Sequence, residues 1–493
     1  MASTFHVENL GCRAARADGE AVSDRLHSAG LCERQPSAAD LVVVNTCSVT
    51  AEADRAARAF IRRAHRLNPE ARIVVTGCYA QRAPEELAGL AGVAAVVGNS
   101  HKALAPEIIL SLLGLAASHA GNGLVQVQAA TNLERASSEQ VAPPQVAQVV
   151  WADDRFAHSF IEAAQIGPGA QTRPNLKIQE GCGNRCTFCV IPSTRGPSRS
   201  LPHAVVLRQV EGFVDAGGNE LVLSGINLGR WGRDLPKPLF ADDASAPRTL
   251  AALVRQIFER TALPRLRLSS IEPMDWDAAL IGLMAEFGGR RLARHAHLPL
   301  QSGSDAVLRR MHRRYRPWHY ADKVAALLRA AGAELTLGAD VMVGFPGETE
   351  AEFEETLGLV RALPFGYLHL FPFSPRPGTP GWALHTERPV PAPAVEERMA
   401  ALRAVAAEKS KTHRRWFVGR EVEAITLHTP AEMDARERTA ALTENFLPME
   451  LEGRLEANRL VRLWVTGLNA EGTLEAIQTE ESGIRRTLGG NPT

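Results

Sequence analysis

No charge of either sign predominates in this chain: 55 basic residues stand against 55 acidic ones over 493 positions. A surface for a polyanion must therefore come from local clustering, because bulk charge supplies none. No apolar run comes near the roughly 20 residues that a bilayer-spanning helix needs, so no membrane contact is expected. The opening residues MASTFHVENLG lack a basic stretch followed by an apolar one, the pattern of a secretory leader, and a cytoplasmic location is expected. Cysteine is sparse and odd in number, seven in all, which argues against a disulfide framework and for reduced thiols or metal ligands. Hydrophobic residues at 45% and charged residues at 22% are ordinary for a globular protein. The length is too great for one core, so roughly two to four domains are expected.

Three of the cysteines carry the strongest signal. In GCGNRCTFCVIPSTRG, Cys182, Cys186 and Cys189 are spaced Cys-x3-Cys-x2-Cys. Iron-sulfur clusters are ordinarily held by four cysteines, and structural zinc by four ligands. Three thiols in one short loop instead point to a cluster with one iron left for an exchangeable ligand. A zinc knob or three buried thiols are the alternatives. The spacing, with Phe188 directly before the last cysteine, resembles the radical S-adenosylmethionine (SAM) enzymes, in which the amino acid part of SAM chelates the open iron.

A second set lies near the start. STFHVENLGC ends at Cys12, LVVVNTC at Cys47 and RIVVTGC at Cys78. Each is a β-branched run of strand length followed by a helical stretch, at 17–29, 52–66 and 84–91, with AVVGN (95–99) as a fourth strand. The alternation predicts an open parallel sheet flanked by helices. Ligands gather at the carboxyl ends of such strands, so Cys12, Cys47 and Cys78 are expected to converge. Three unrelated core cysteines are the alternative, since free cysteine is usually buried. Cys32 follows no strand and is read as packing.

Residues 115–172, rich in Ala, Gln, Ser and Gly with Pro143 and Pro144 side by side, read as a linker with one strand. Beyond it, strand-like runs at 176–179, 221–226, 265–271, 296–300, 336–344 and 367–373 alternate with helical patterns at 203–215, 249–260, 277–287, 305–330 and 350–361. This predicts an α/β fold with a (β/α)6 partial barrel over 173–410, whose chemistry belongs at the carboxyl ends of its strands. Polar residues suited to SAM are read at the strand ends: Gly217, Gly218 and Glu220 in GGNE for the methionyl ammonium, Ser270 and Glu272 for ribose hydroxyls or the carboxylate, and Gln301 with Ser302 beyond the fourth strand. A glycine turn taken alone is usually only a turn.

Together these motifs resemble the radical-SAM methylthiotransferases over most of the chain. NTCSVTAEADRAAR (45–58), TGCYAQR (76–82), LKIQEGC and RGPSRS are similar to the branch acting on threonylcarbamoyladenosine in tRNA. The isopentenyladenosine branch usually has Arg where this chain has Thr50, and a third branch modifies an aspartate of a ribosomal protein. Where the family typically has Asn and Gln after the first cysteine, this chain has Ala15 and Arg16. The resemblance implies two 4Fe-4S clusters, one on Cys182, Cys186 and Cys189 that cleaves SAM, and an auxiliary one on Cys12, Cys47 and Cys78 that holds the sulfur. It implies an N-terminal methylthiotransferase domain over 1–114, a TRAM-like β-barrel for RNA binding over 411–482 and a tail over 483–493. It also implies a tRNA substrate, methylthiolation at carbon 2 of the adenine, and an electron donor such as flavodoxin or ferredoxin, with the sulfur source unassigned.

RNA binding requires local basic patches. Arg55, Arg58, Arg62 and Arg66 fall on one face of the predicted helix 52–66. RRMHRRYRPWHY (309–320) and EKSKTHRRWFVGR (408–420) interleave arginines with aromatics, which suits phosphate contact and base stacking. Such runs are more often solvated helix faces. A carboxylate on the substrate would favour a basic partner, for which Arg13, Arg195 and the 309–316 cluster are candidates. A non-catalytic iron-sulfur redox sensor that binds RNA, or a zinc-containing RNA-binding protein, is the competing class of function.

Overall fold

The structure, a computed structural model, describes residues 3–114, 149–156, 166, 171–236 and 247–479. Most of the predicted linker and all of the predicted tail lie outside the described residues. The chain forms two compact units, one of residues 1–164, 181–184 and 189–197, the other of residues 165–180, 185–188 and 198–493.

The first unit is built on six strands: β1 (Thr4–Leu10), β2 (Cys32–Glu33), β3 (Leu41–Thr46), β4 (Arg72–Gly77), β5 (Val93–Gly98) and β6 (Val149–Trp151). They form one parallel sheet in the order β2-β1-β3-β4-β5-β6. LVVVNT and VAAVVG are buried along their whole length, as strands covered on both faces must be. Alternation along the strands divides the core: Val42, Val44, Ile73 and Val75 pack with Ala57 and Ile61, while Leu41, Val43 and Val74 pack with Phe5, Val22 and Leu26. The helix Ala51–Leu67 begins at Thr50, whose Oγ1 accepts from Ala53 N at 3.2 Å, and carries Glu52 and Asp54 in its first turn. The strand read in the linker is β6. Cys32 lies in the short edge strand β2 and is exposed, which corrects the reading of it as packing.

The second unit holds β7 (Asn175–Glu180), β8 (Arg199–Ser200), β9 (Glu220–Gly225), β10 (Arg265–Leu268), β11 (His295–His297), β12 (Thr336–Val343) and β13 (Phe365–Pro372). β10-β9-β7 and β11-β12-β13 are parallel, and β8 pairs antiparallel with β7. A parallel bridge from Leu266 to Leu292 ties β10 to the segment that leads into β11. Six parallel strands with intervening helices thus make the expected partial barrel. The helix expected over 305–330 is two, Asp305–Arg310 and Pro317–Ala331. Pro317 forces Arg316 into extended backbone, at φ −121° and ψ 164°.

A closed barrel follows in the same unit: β14 (Glu421–Thr426), β15 (Arg438–Thr443), β16 (Pro448–Glu452), β17 (Leu460–Leu468) and β18 (Leu474–Gln478). The expected boundary at 410/411 falls inside the helix Ala392–Trp416. The β15–β16 turn reaches the amino ends of the parallel strands. Arg267 donates to Thr443 O at 3.1 Å, Arg294 to Glu444 at 2.6 Å and Asn445 to Glu334 O at 2.7 Å. Phe446 packs against His295 with ring centroids 4.5 Å apart.

Candidate active site

Three strands of the first unit end on one rung. Leu10 pairs with Thr46 and Thr46 with Gly77, so Cys47 and Cys78 leave the sheet side by side and Cys12 follows two residues beyond Leu10. Gly77 has φ +98°, and a Cβ there would lie 2.3 Å from Thr46 O; only glycine makes this turn. Cys12 is exposed, Cys47 half-buried and Cys78 buried. Burial first, and then Cys78 and Cys12 beside it, push the Cys47 thiol up to about 12. A thiol that resists ionising on its own, with two further cysteines beside it, is the chemistry of a donor set whose charge a metal centre compensates.

Buried polar groups close around this set. Arg195, from the short helix Ile191–Arg195, is 1% exposed. Its Nε donates to Cys78 Sγ at 3.2 Å and its Nη1 to Asp18 Oδ2 at 3.2 Å. Asn99, next after β5, donates to Cys78 Sγ at 3.4 Å and to Thr194 O at 2.8 Å. Lys102 reaches Asp18 at 3.0 Å. Asn45 donates to Ala15 O and to Asn9 Oδ1, so the backbone at Ala15 is used even though its side chain carries no polar group.

The second set follows β7. Cys182 N donates to Gly196 O at 3.0 Å, and Asn184 N to Cys182 Sγ at 3.4 Å. Arg313, 6% exposed, donates to Cys186 Sγ at 3.3 Å and to Tyr315 Oη at 3.2 Å, and is ion-paired with Glu272. Around Phe188, Thr187 N donates to Met311 O at 3.2 Å and Thr187 O accepts from Gly381 N at 2.7 Å. Among the described residues no three His, Cys, Asp or Glu side chains stand within reach of a single metal ion; a cluster binds each thiolate to a different iron and does not require them to be.

Carboxyl ends of the barrel strands carry Ser270, Glu272 and Gln301. Gln301 adopts φ +64°, and its Oε1 is buried without a hydrogen-bond partner among the described residues. Ser224 Oγ at the end of β9 and Ser269 Oγ after β10 are likewise buried and unsatisfied. Orphaned polar atoms on successive strand ends are what a polar ligand such as SAM would satisfy.

Gly217, Gly218 and Glu220 are not there. They precede or begin β9, and because β9 runs parallel to β7 they lie at its amino end, away from the carboxyl edge. Asn458 donates to Gly217 O at 2.9 Å, and Asn219 donates to Asn458 O at 2.7 Å, so this turn docks on the C-terminal barrel. Glu220 is fully buried, 2.7 Å from Arg173, 2.8 Å from Arg267 and 3.3 Å from Arg265. Burial alone would raise its pKa, yet Arg267, Arg173 and Arg265 hold it well below the usual carboxylate range. The segment at the carboxyl end is Gly225-Ile226-Asn227, where Asn227 N donates to Gln179 Oε1 at 2.6 Å. Strand direction in the SGIN run was the signal that would have found it.

The basic runs are largely spoken for. Arg310 is bidentate with Glu352 at 2.7 and 2.8 Å, Arg309 and Arg316 pair with Asp305, and Tyr315 and Tyr320 are buried. Trp318 is exposed. In 408–420, Lys409 donates to Arg361 O and Leu363 O, and Arg414 to Gly472 O. On Ala51–Leu67, Arg55, Arg62 and Arg66 are exposed while Arg58 pairs with Tyr79 and Glu86.

Fold and site define the class, a radical-SAM enzyme with a second cysteine set. Residues 176–360 match the Radical SAM superfamily, and residues 4–98 match the uncharacterized protein family UPF0004. The threonylcarbamoyladenosine tRNA methylthiotransferase MtaB of Bacillus subtilis (strain 168) is 33% identical over 452 residues, 92% of this chain and 91% of that protein. Its namesake from Aquifex aeolicus (strain VF5) is 32% identical over 459 residues, 93% and 99% of the two chains. The tRNA-2-methylthio-N(6)-dimethylallyladenosine synthase of Parafrankia sp. (strain EAN1pec) is 33% identical over 474 residues, 95% and 84% of the two chains. In fold, the radical S-adenosylmethionine methyltransferase TsrM of Kitasatospora setae superposes with a TM-score of 0.51 at 17% identity, covering 77% of this chain and 74% of that one. The chain belongs to the radical-SAM tRNA methylthiotransferase family. Enzymes of this family use SAM and two 4Fe-4S clusters, and the two cysteine sets fit them. No described helix is long and apolar enough to cross a membrane.

Proposed function

We propose that this protein methylthiolates carbon 2 of N6-threonylcarbamoyladenosine beside the anticodon of tRNA. The observation that carries the reaction class is the pair of three-cysteine sets, one on the rung shared by β1, β3 and β4 and one in the loop after β7. For the substrate, support comes from the relatives named for the threonylcarbamoyl nucleoside in several bacteria. When bound, the group on Cys182, Cys186 and Cys189 supplies reductive SAM cleavage and the group on Cys12, Cys47 and Cys78 supplies the sulfur.

The chain's own residues do the rest. Arg313 fixes Glu272 and donates to the Cys186 sulfur, holding that part of the loop against the barrel. Gln301 Oε1 offers an acceptor, and Ser270 and Glu272 further polar atoms, to SAM, with Phe188 beside it. Gln301 and Arg313 are buried, while Ser270, Glu272 and Phe188 are half-buried and stay open to a ligand. The parts of the chain divide as 1–114 for the auxiliary site, 115–172 linker, 173–410 for SAM chemistry, 411–482 as a TRAM-like RNA-binding barrel and 483–493 as a tail. Electrons come from a donor such as flavodoxin or ferredoxin, and the enzyme works in the cytoplasm. A second reading, the dimethylallyl nucleoside, is favoured by the Parafrankia relative. Purified enzyme given tRNA bearing either modification decides between them: turnover is expected on the threonylcarbamoyl form, and preference for the dimethylallyl form overturns the substrate while leaving the reaction class.

A further inference from the structure

We propose that Arg195 is a positioning residue of the auxiliary site, whose guanidinium sets the electron affinity of the cluster by donating to the Cys78 sulfur. The inference rests on the reading that Cys12, Cys47 and Cys78 hold that cluster. As a member of a basic set, Arg195 was a candidate partner for the substrate carboxylate. At 1% exposure, and with Cys78 and Asp18 as its partners, it takes a further role.

The geometry is that of a two-sided clamp. Nε faces Cys78 Sγ at 3.2 Å while Nη1 faces Asp18 Oδ2 at 3.2 Å, so one rigid fork serves two acceptors, which a lysine ammonium on a flexible stem reproduces poorly. Asp18 is itself held by Lys102 at 3.0 Å, and Asn99 adds a second donor to the same sulfur while gripping Thr194 O, the residue before Arg195. The clamp is thus fixed from both ends. Arg195 closes the helix Ile191–Arg195, which starts two residues after Cys189, so the segment leaving the SAM-cleaving cysteines supplies the donor to the sulfur-carrying ones. Hydrogen bonds to cluster sulfurs and local charge set reduction potentials. A permanent cation in a buried site stabilises the more negative, reduced state, and its loss lowers the potential.

The full-length protein tests this, reconstituted anaerobically with Cys182, Cys186 and Cys189 replaced by Ala so that only the auxiliary site binds iron. Redox titration followed by electron paramagnetic resonance is then run with Arg195, R195Q and R195K. R195Q is expected to weaken reduction about tenfold, 59 mV for one electron, with R195K between it and the parent. Full iron content with an unmoved potential in R195Q overturns the proposal. If R195Q holds no iron, R195K decides: retained iron with a potential near the parent's supports a role for the charge, and equal loss of iron overturns it. Absence of iron with Arg195 in place overturns the cluster reading itself, and this inference with it.

Discussion

A carboxylate sealed from water must have its charge answered by its neighbours, and Glu220 is answered by three guanidiniums. Replacing it as Glu220→Gln keeps the shape but leaves Arg173, Arg265 and Arg267 with no buried anion between them. Breaking such a buried network costs on the order of 3–5 kcal/mol. A clear fall in the thermal unfolding midpoint is therefore expected, with the KM for SAM unchanged in the protein that remains folded. An unchanged midpoint with a raised KM would return Glu220 to the ligand set. The sign of the pKa shift agrees: the carboxyl is depressed in the fold, so its contribution is present above the ordinary carboxylate pKa and is lost as pH falls. Nothing in GGNE revealed this. The partners come from positions 173, 265 and 267, and only the folded sheet brings them together. The same holds for Arg310 and Arg313, whose acids Glu352 and Glu272 lie some forty residues away. Local sequence shows an unopposed basic run where the structure shows ion pairs.

Elements were legible where their periodicity was strong. The β-branched runs before Cys47 and Cys78 read correctly because strands buried on both faces are nearly continuous apolar segments, whereas the half-buried run before Cys12 and the barrel strands, which carry polar residues, were legible from their alternation with helices. The ends of strands are harder to read, since a glycine turn looks alike on either side of a strand, and Gly217-Gly218 lies at the amino end of β9 instead of the carboxyl end. One element has a role its sequence did not announce, the β15–β16 turn. Phe446, at φ +70°, lies against His295, Tyr367 and the guanidiniums of Arg267 and Arg173. Phe446→Ala is expected to destabilise the second unit by about 1–2 kcal/mol, less than truncating a fully buried ring because Phe446 is half-buried, seen as a lowered unfolding midpoint and faster proteolysis, with Phe446→Leu milder. If Phe446→Ala unfolds like the parent, the turn only rests on the parallel strands.

At the scale of the whole molecule the proposed function divides the labour between the two cysteine sets. Replacing Cys12, Cys47 or Cys78 with Ala is expected to leave SAM cleavage to 5′-deoxyadenosine largely intact and abolish methylthiolated product, with iron falling to about half. Replacing Cys182, Cys186 or Cys189 is expected to abolish both. Normal product from any of the first three variants would make them core cysteines. The position of Arg195 also has a consequence in time. Cys12, Cys47 and Cys78 are all synthesised by residue 78, but the arginine seated on Cys78 Sγ arrives more than a hundred residues later. At ~5–20 residues per second that delay is on the order of ten seconds. Throughout it, the nascent chain presents a cysteine site that lacks its arginine to the crowded space around the ribosome, and cluster loading before or after that moment meets two different sites.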